Sequence, residues 1–479
     1  MRRDLADPEL FGNEAGEDED IEILNSYFLE KSEFDRFYSN TRRIAFVRSR
    51  KGMGKSALLR KTYYVRQLAN SNDLVVFVKA SDLFALQDVP SGNAAELIYG
   101  WQQRICSRIN LELGAALNYG FTDDSILLIE KAELTGFRSR NLVSALFDRL
   151  KIKSLGLERT RLETTASQAI TERVIENSVN VWVFIDDIDA TFVNTESERL
   201  KVSTFFSACR NLIGAVQGLH IRASVRTDVW SILAQHDEAL DKCEQYMLDL
   251  KWSTEETGRI LENKIKSFFI RYYPDDERFQ NLTPGKDGRE IRRLVFKEPF
   301  NWGGRSLDSF RPIHILSAGR PRWAAQLCKL AGHDAFLKSG DKISIGHIRS
   351  VLQEYGGLRI ADLYKEHRHQ CARLVEIIES FSGGQKIYTT TQLLSHIAEK
   401  IIKHGGLPTI DGISAENGGL TIAHLLYRIG FITARNENDS TGLGFVRFED
   451  RPNLLTSKTN LDDGLDWEIH PSYRSILSV

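Results

Sequence analysis

The stretch RRIAFVRSRKGMGKSALLRK, Arg42 to Lys61, constrains this chain more than any other segment of its length. RRIAFVRS, Arg42 to Ser49, is a short apolar run suited to a buried strand, and ALLRKTYYVRQLA after it carries helical periodicity. Between them stands KGMGKS. A loop whose backbone N–H groups curl around a phosphate needs glycine where a Cβ would collide and a helix N-terminus beneath. It also needs a lysine to reach phosphate oxygens and a hydroxyl for a bound Mg²⁺. Gly52, Gly54, Lys55 and Ser56 stand in those places, flanked by Met53 and Ala57. Ser49 occupies the position where the full pattern has its first glycine, while Arg48, Arg50 and Lys51 add positive charge at the mouth. The plainer alternative is a basic turn that caps an ordinary helix.

The rest of the first half supplies the context that a phosphate loop requires. DLVVFVKAS (Asp73 to Ser81), VNVWVFIDDID (Val179 to Asp189) and GLHIRASVRTD (Gly218 to Asp228) read as further buried strands. A long stretch to about Asn177 has mostly helical periodicity, and ERLKVSTFFSACRNLIGAV reads as a helix between the last two strands. Apolar strands alternating with helices predict an α/β unit with a parallel sheet covered on both faces. VWVFIDDID ends in carboxylates, as a strand tip must if it is to hold a metal and polarise a water. Asp186 is assigned to the metal and Asp187 to the water; Asp189 reads as the cap of a following helix.

Together these residues resemble the P-loop ATPases of the AAA+ and STAND groups, and FIDDID is especially similar to KAP-type bacterial ATPases. The resemblance covers about Arg42 to Tyr355. It implies a P-loop NTPase parallel sheet with a helical lid and a C-terminal winged helix, binding ATP with Mg²⁺ and hydrolysing it. A polar or basic residue at the tip of the next strand would then sense the γ-phosphate, which places Arg226 of ASVRTD there. SAGRPRWAAQLC is similar to the G-x-x-R pattern of a lid helix, pointing to Arg322 with Arg320 as its neighbour. Lys55, Asp187, Arg226 and Arg322 form the expected catalytic set. Residues 49–57 with Arg320 and Arg322 would hold nucleotide, and Ser56 with Asp186 the metal. The resemblance also implies a switch that self-associates or acts through a separate effector protein, plausible in defence against phage.

The expected organisation is an acidic and aromatic lead over 1–40 packing on the core, an ATPase core over 41–252, a helical lid over 253–375 and a winged helix over 376–479. STEETGRILENKIKSFFIRYY opens the lid with a helix N-cap signature. TTQLLSHIAEKIIKHG, GLTIAHLLYRIG and the strand-like FITARN, GFVRFED and DWEIHP follow in winged-helix order. The acidic run EDEDIE reads as solvated surface.

Composition narrows the function classes. A formal net charge of −2 gives no global pull toward nucleic acid or membrane. Apolar strings are too short to span a bilayer, and five scattered cysteines without a CxxC pair suit a reducing compartment, with cytoplasm expected. His367, His369 and Cys371 in KEHRHQCARL lack a second ligand pair, so a solvated helix end is expected there rather than zinc. An ATPase followed by a winged helix also resembles origin-recognition initiators. From Glu376 onward, nine Lys and Arg face thirteen Asp and Glu, and GLTIAHLLYRIG offers only His424 and Arg428, which reads as packing more than base readout. Lys386, Lys400, Lys403 and Arg435 keep a backbone-gripping face open. Three functions therefore fit: an ATP-driven switch, a DNA-binding AAA+ protein of the initiator or loader type, and a scaffold that binds ATP without turning it over.

Overall fold

The computed structural model describes residues 3–69, 73–85, 93–116, 180–415, 417–435, 445–448, 450–457 and 462–479. Most of the helical periodicity read up to Asn177 lies outside the described residues.

Five parallel strands form the first sheet: β1 (Ile44–Ser49), β2 (Leu74–Lys79), β3 (Val181–Asp186), β4 (Leu219–Arg226) and β5 (Met247–Asp249), in the order β2-β3-β4-β1-β5. Alternation along β1 explains why both faces are covered. Ile44 and Phe46 join one cluster with Phe205, Phe206 and Val183, while Ala45 and Val47 join another with Leu58, Leu59, Trp182 and Phe184. All six residues of β3 are buried, as a central parallel strand requires. Register then gathers the chemistry. Ser49 pairs with Arg226 and Ile185 with Ala223, so the tips of β1, β3 and β4 share one edge of the sheet.

The helices that position the site are α1 (Ile21–Tyr27), α2 (Lys55–Ala69), α3 (Ala94–Ala116), α4 (Glu196–Ala215), α5 (Thr227–His236) and α6 (Thr254–Tyr272). α6 opens on a reciprocal capping box between Ser253 and Glu256. With α7 (Gly288–Val295), α8 (Phe310–Leu316), α9 (Pro321–Leu337) and the start of α10 (Leu352–His367) it encloses a second core, to which Leu5, Leu10 and Phe11 also belong. Phe34 and Phe37 belong instead to the sheet's cluster, so the N-terminal lead bridges the two units.

The C-terminal unit is a winged helix. α11 (Thr390–His396) and α12 (Gly418–Arg428) pack under β6 (Ile387–Tyr388), β7 (Ile432–Arg435), β8 (Phe445–Val446) and β9 (Asp466–Ile469), in the antiparallel order β8-β7-β9-β6. α13 (Pro471–Leu477) returns to α10, where Gly356 leaves room for the Ser472 carbonyl.

Two expectations need correction. The acidic run is not simply solvated. Glu19 is buried and accepts hydrogen bonds from Tyr27 Oη at 2.9 Å and Asn13 N at 2.5 Å, while Arg60 donates to the Glu17 and Glu19 carbonyls. The end of α10 is not solvated either. His367 and Cys371 are buried where α10 passes under the winged helix, and burial lowers His367 to about 3. Apolar neighbours and nearby arginines, invisible in a local window, decide both cases.

Candidate active site

At the shared edge of the sheet the loop after β1 turns through Gly52 at φ +81° and Gly54 at φ +100° before α2 begins. Side chains other than glycine rarely adopt these angles. A Cβ on Gly52 would also lie 3.2 Å from the Cβ of Arg322. Lys55 Nζ bonds the loop's own carbonyls of Ser49 (3.1 Å) and Arg50 (3.5 Å), a cation held at the loop mouth by neutral acceptors. Glycine backbone with a helix N-terminus beneath it and a lysine folded over it makes an anion cradle.

Asp187 follows β3 with φ +61°, a left-handed conformation that costs a non-glycine residue of order 1–3 kcal/mol. The turn carries its carboxylate into the same cavity as Lys55 and Ser56. Burial, then repulsion from Asp186, Glu17 and Asp189, raises it to about 6 against the pull of Lys55. A carboxylate tuned upward beside a phosphate cradle is suited to accepting a proton from water. Asp186 lies behind it, buried, accepting hydrogen bonds from Ser224 Oγ and from the Asp187 amide.

The cavity holds about 440 Å³ and is lined by Lys51 to Ala57, Asp187, Asp189, Arg226 and Arg322, and opposite them by parts of the N-terminal lead and α6. Arg226 comes from the tip of β4, held by Asp189 Oδ2 through both its amide (2.7 Å) and its Nε (3.1 Å). Arg322 comes from the first turn of α9, whose N–H bonds the Gly52 carbonyl at 3.3 Å. Segments far apart in sequence, the glycine loop, the acidic strand tip, Arg226 and Arg322, thus meet around one space.

Ser49, Arg50, Arg320 and Asp186 do not line it. Ser49 ends a buried strand, with its hydroxyl on the Arg50 carbonyl. Arg50 turns outward and donates to the Arg428 carbonyl of α12 at 2.8 Å. Arg320 caps α9 two residues before Arg322, which sends the two guanidinium groups to different faces of the helix start. It is buried over the Trp323 ring and paired with Glu366 at 3.1 Å. Burial pushes Glu366 up, but Arg320, His367, Arg50 and Arg226 outweigh it and hold the carboxyl well below the usual range.

Sequence reasoning missed several residues of this site. Asp189, read as a cap, is the anchor of Arg226. Asp362, which meets Lys51 at 3.5 Å, and Glu366 lie four residues apart on one face of α10, and that spacing was the available signal. The lead's part in the cavity wall left no signal, because apposition with α6 is set only by tertiary packing.

A metal and a nucleotide fit what is present. Ser56 opens α2 at the cradle, Asp187 faces it, and glycine backbone leaves the cradle clear for phosphate. Ser56 would hold the ion directly, and Asp186, which does not line the cavity, would act on it only through an intervening group such as water; the ion would supply charge neutralisation at the phosphates.

No family model matches the chain, and no curated protein matches it. Solved structures do. The Aeropyrum pernix ORC2 protein with ADPNP and ADP aligns at 12% identity over 95% of this chain and 90% of that one, with a TM-score of 0.41. Cdc6p from Pyrobaculum aerophilum aligns at 12% identity over 96% and 97%, with a TM-score of 0.32. Drosophila ORC bound to DNA aligns at 12% identity over 95% and 89%, with a TM-score of 0.31. These named neighbours are ORC and Cdc6 proteins, and at such identities and scores the likeness decides nothing about this chain.

Proposed function

We propose that this chain is an ATP-binding, ATP-hydrolysing switch of the AAA+ kind, in which the nucleotide sets the angle between sheet, lid and winged helix. One observation carries the reading: cations of the nucleotide loop and lid are tied to the C-terminal elements. Lys51 meets Asp362, Arg320 meets Glu366, and Arg50 holds the Arg428 carbonyl. A triphosphate entering the cradle competes with Asp362 for Lys51, the one of these three cations that lines the cavity, and hydrolysis reverses the competition. Lys55 and Arg322 bind the phosphates, Arg226 senses the terminal one, and Asp187 takes the proton of the attacking water. The output is self-association or binding of a separate effector.

The test is light scattering and small-angle X-ray scattering with ATP, with ADP and with neither, beside a Lys55→Ala control. ATP should change mass or radius in the wild type and leave the variant unmoved. Unchanged mass and shape in a wild type saturated with ATP would refute the switch. Steady turnover separates it from a non-hydrolysing scaffold.

A second reading, a DNA-binding AAA+ ATPase of the initiator or loader type, is favoured by the winged helix with Lys386, Lys400 and Lys403 exposed on it. The DNA in the Drosophila complex belongs to that protein. Here α12 is engaged within the fold: His424 bonds the Leu454 carbonyl at 3.0 Å and Arg428 bonds Asp411 at 2.5 Å. DNA binding through α12 therefore requires these contacts to open. A gel shift that appears only with ATP and weakens steeply with salt would select this reading.

A further inference from the structure

Lys264 is a buried cation of the cavity for which the described residues supply no hydrogen-bond acceptor. It lies on α6, is 8% exposed and lines the cavity wall. Among the described residues its ammonium stands over the Tyr27 ring, 4.9 Å from the centroid, and makes no hydrogen bond or ion pair. Glu19 attracts it through space, but that carboxylate already serves Tyr27 Oη and the Asn13 amide. Burial lowers Lys264 to about 8, with Glu19 opposing the shift and Lys329 adding to it, so at neutral pH it remains a charged donor. An ammonium in a cavity wall that bonds none of the described residues is placed to donate to a ligand that enters the cavity.

Position identifies the part of the ligand it meets. α6 begins beside Trp252, whose Nε1 bonds the Met53 carbonyl of the glycine loop at 2.7 Å. Lys264 sits about 16 Å further along the axis from Ser253 at the ordinary helical rise. Lys264 therefore stands well along the helix from the end of α6 that meets the glycine loop. Ile260, one turn earlier, lines the same cavity, and across from it Leu24, Tyr27 and Phe28 of the lead present apolar and aromatic surface.

We infer that Lys264 reads the base: its ammonium donates a hydrogen bond to an acceptor atom on the edge of a purine ring held between α1 and α6. The inference rests on the nucleotide reading above, and supplies its specificity element. Tyr27 and Glu19 are positioning residues for the amine.

Calorimetric titration of wild type, Lys264→Met and Lys55→Ala with ATP, with inorganic tripolyphosphate and with the 1-, 3- and 7-deaza analogues of ATP tests it. Lys264→Met should weaken ATP by about 10- to 100-fold, as for a hydrogen bond to a charged donor. Tripolyphosphate, which has no base, should bind both proteins equally. One deaza analogue should lose a similar factor in the wild type and nothing further in the variant. The thermal midpoint of ligand-free Lys264→Met should match or exceed that of the wild type, since an uncompensated charge has gone. ATP binding unchanged in Lys264→Met, an equal loss for ATP and tripolyphosphate, or a flat deaza series would each overturn the inference. If Lys55→Ala bound ATP and tripolyphosphate as the wild type does, the phosphate-cradle reading itself would fall.

Discussion

Asp187 shows how much chemistry one backbone angle sets here. Its left-handed φ of +61° lifts the carboxylate off the strand axis and into the cavity, while Asp186, one residue earlier, stays in the sheet. Asp187→Asn should retain ATP binding and lower turnover about 10²- to 10⁴-fold, measured by phosphate release. Because the group is raised to about 6 and is proposed as the base, kcat/KM in the wild type should climb as pH rises through 6 and fall below it. At Gly52 the angle and the space agree. Gly52→Ala must both adopt φ +81° and press on Arg322, so ATP affinity should drop at least about tenfold by calorimetry while the far-ultraviolet spectrum stays native.

Among the elements, β4 carries an unusual load. Arg222 in its middle is fully buried and donates to the carbonyls of Phe37, Ser39 and Arg42 while lying over Trp182 at 4.8 Å, so it ties the lead to the sheet. Burial, with Arg66 nearby, lowers it to about 9. Arg222→Met strands those carbonyls, and the urea midpoint should fall by an amount equivalent to at least about 3 kcal/mol. α10 carries the corresponding link at the other end. Glu366→Gln leaves Arg320 buried opposite a neutral amide, a loss of about 3–5 kcal/mol by the usual cost of breaking such a pair. If Glu366 also holds the winged helix against the loop, limited proteolysis of ligand-free Glu366→Gln should cut between α10 and α11 faster than in the wild type. Equal cutting rates would confine Glu366 to a stabilising role.

On the scale of the whole molecule, the cavity is closed by parts that belong to different cores. The lead contributes Leu5, Leu10 and Phe11 to the lid's cluster and Phe34 and Phe37 to the sheet's. A nucleotide that touches loop, lead and α6 at once couples those bodies. Hydrogen exchange should therefore slow over 13–29 and 254–268 when ATP is added and stay unchanged in Lys55→Ala. Among the described residues no helix is long and apolar enough to cross a membrane.

Local pattern determined a good deal by itself. Strand, glycine loop and helix around Lys55, the acidic tip at Asp186 and Asp187, the cap at Ser253 and the element order of the winged helix depend on neighbours a few residues away, and periodicity and backbone sterics write such features directly into the chain. Tertiary structure alone decided that Arg322 faces the cradle while Arg320 turns to Glu366, that Glu19 and His367 are buried, and that the lead and Lys264 wall one cavity with the glycine loop. Those outcomes depend on which distant surfaces exclude water together, and burial of that kind leaves no periodicity in a local stretch of residues.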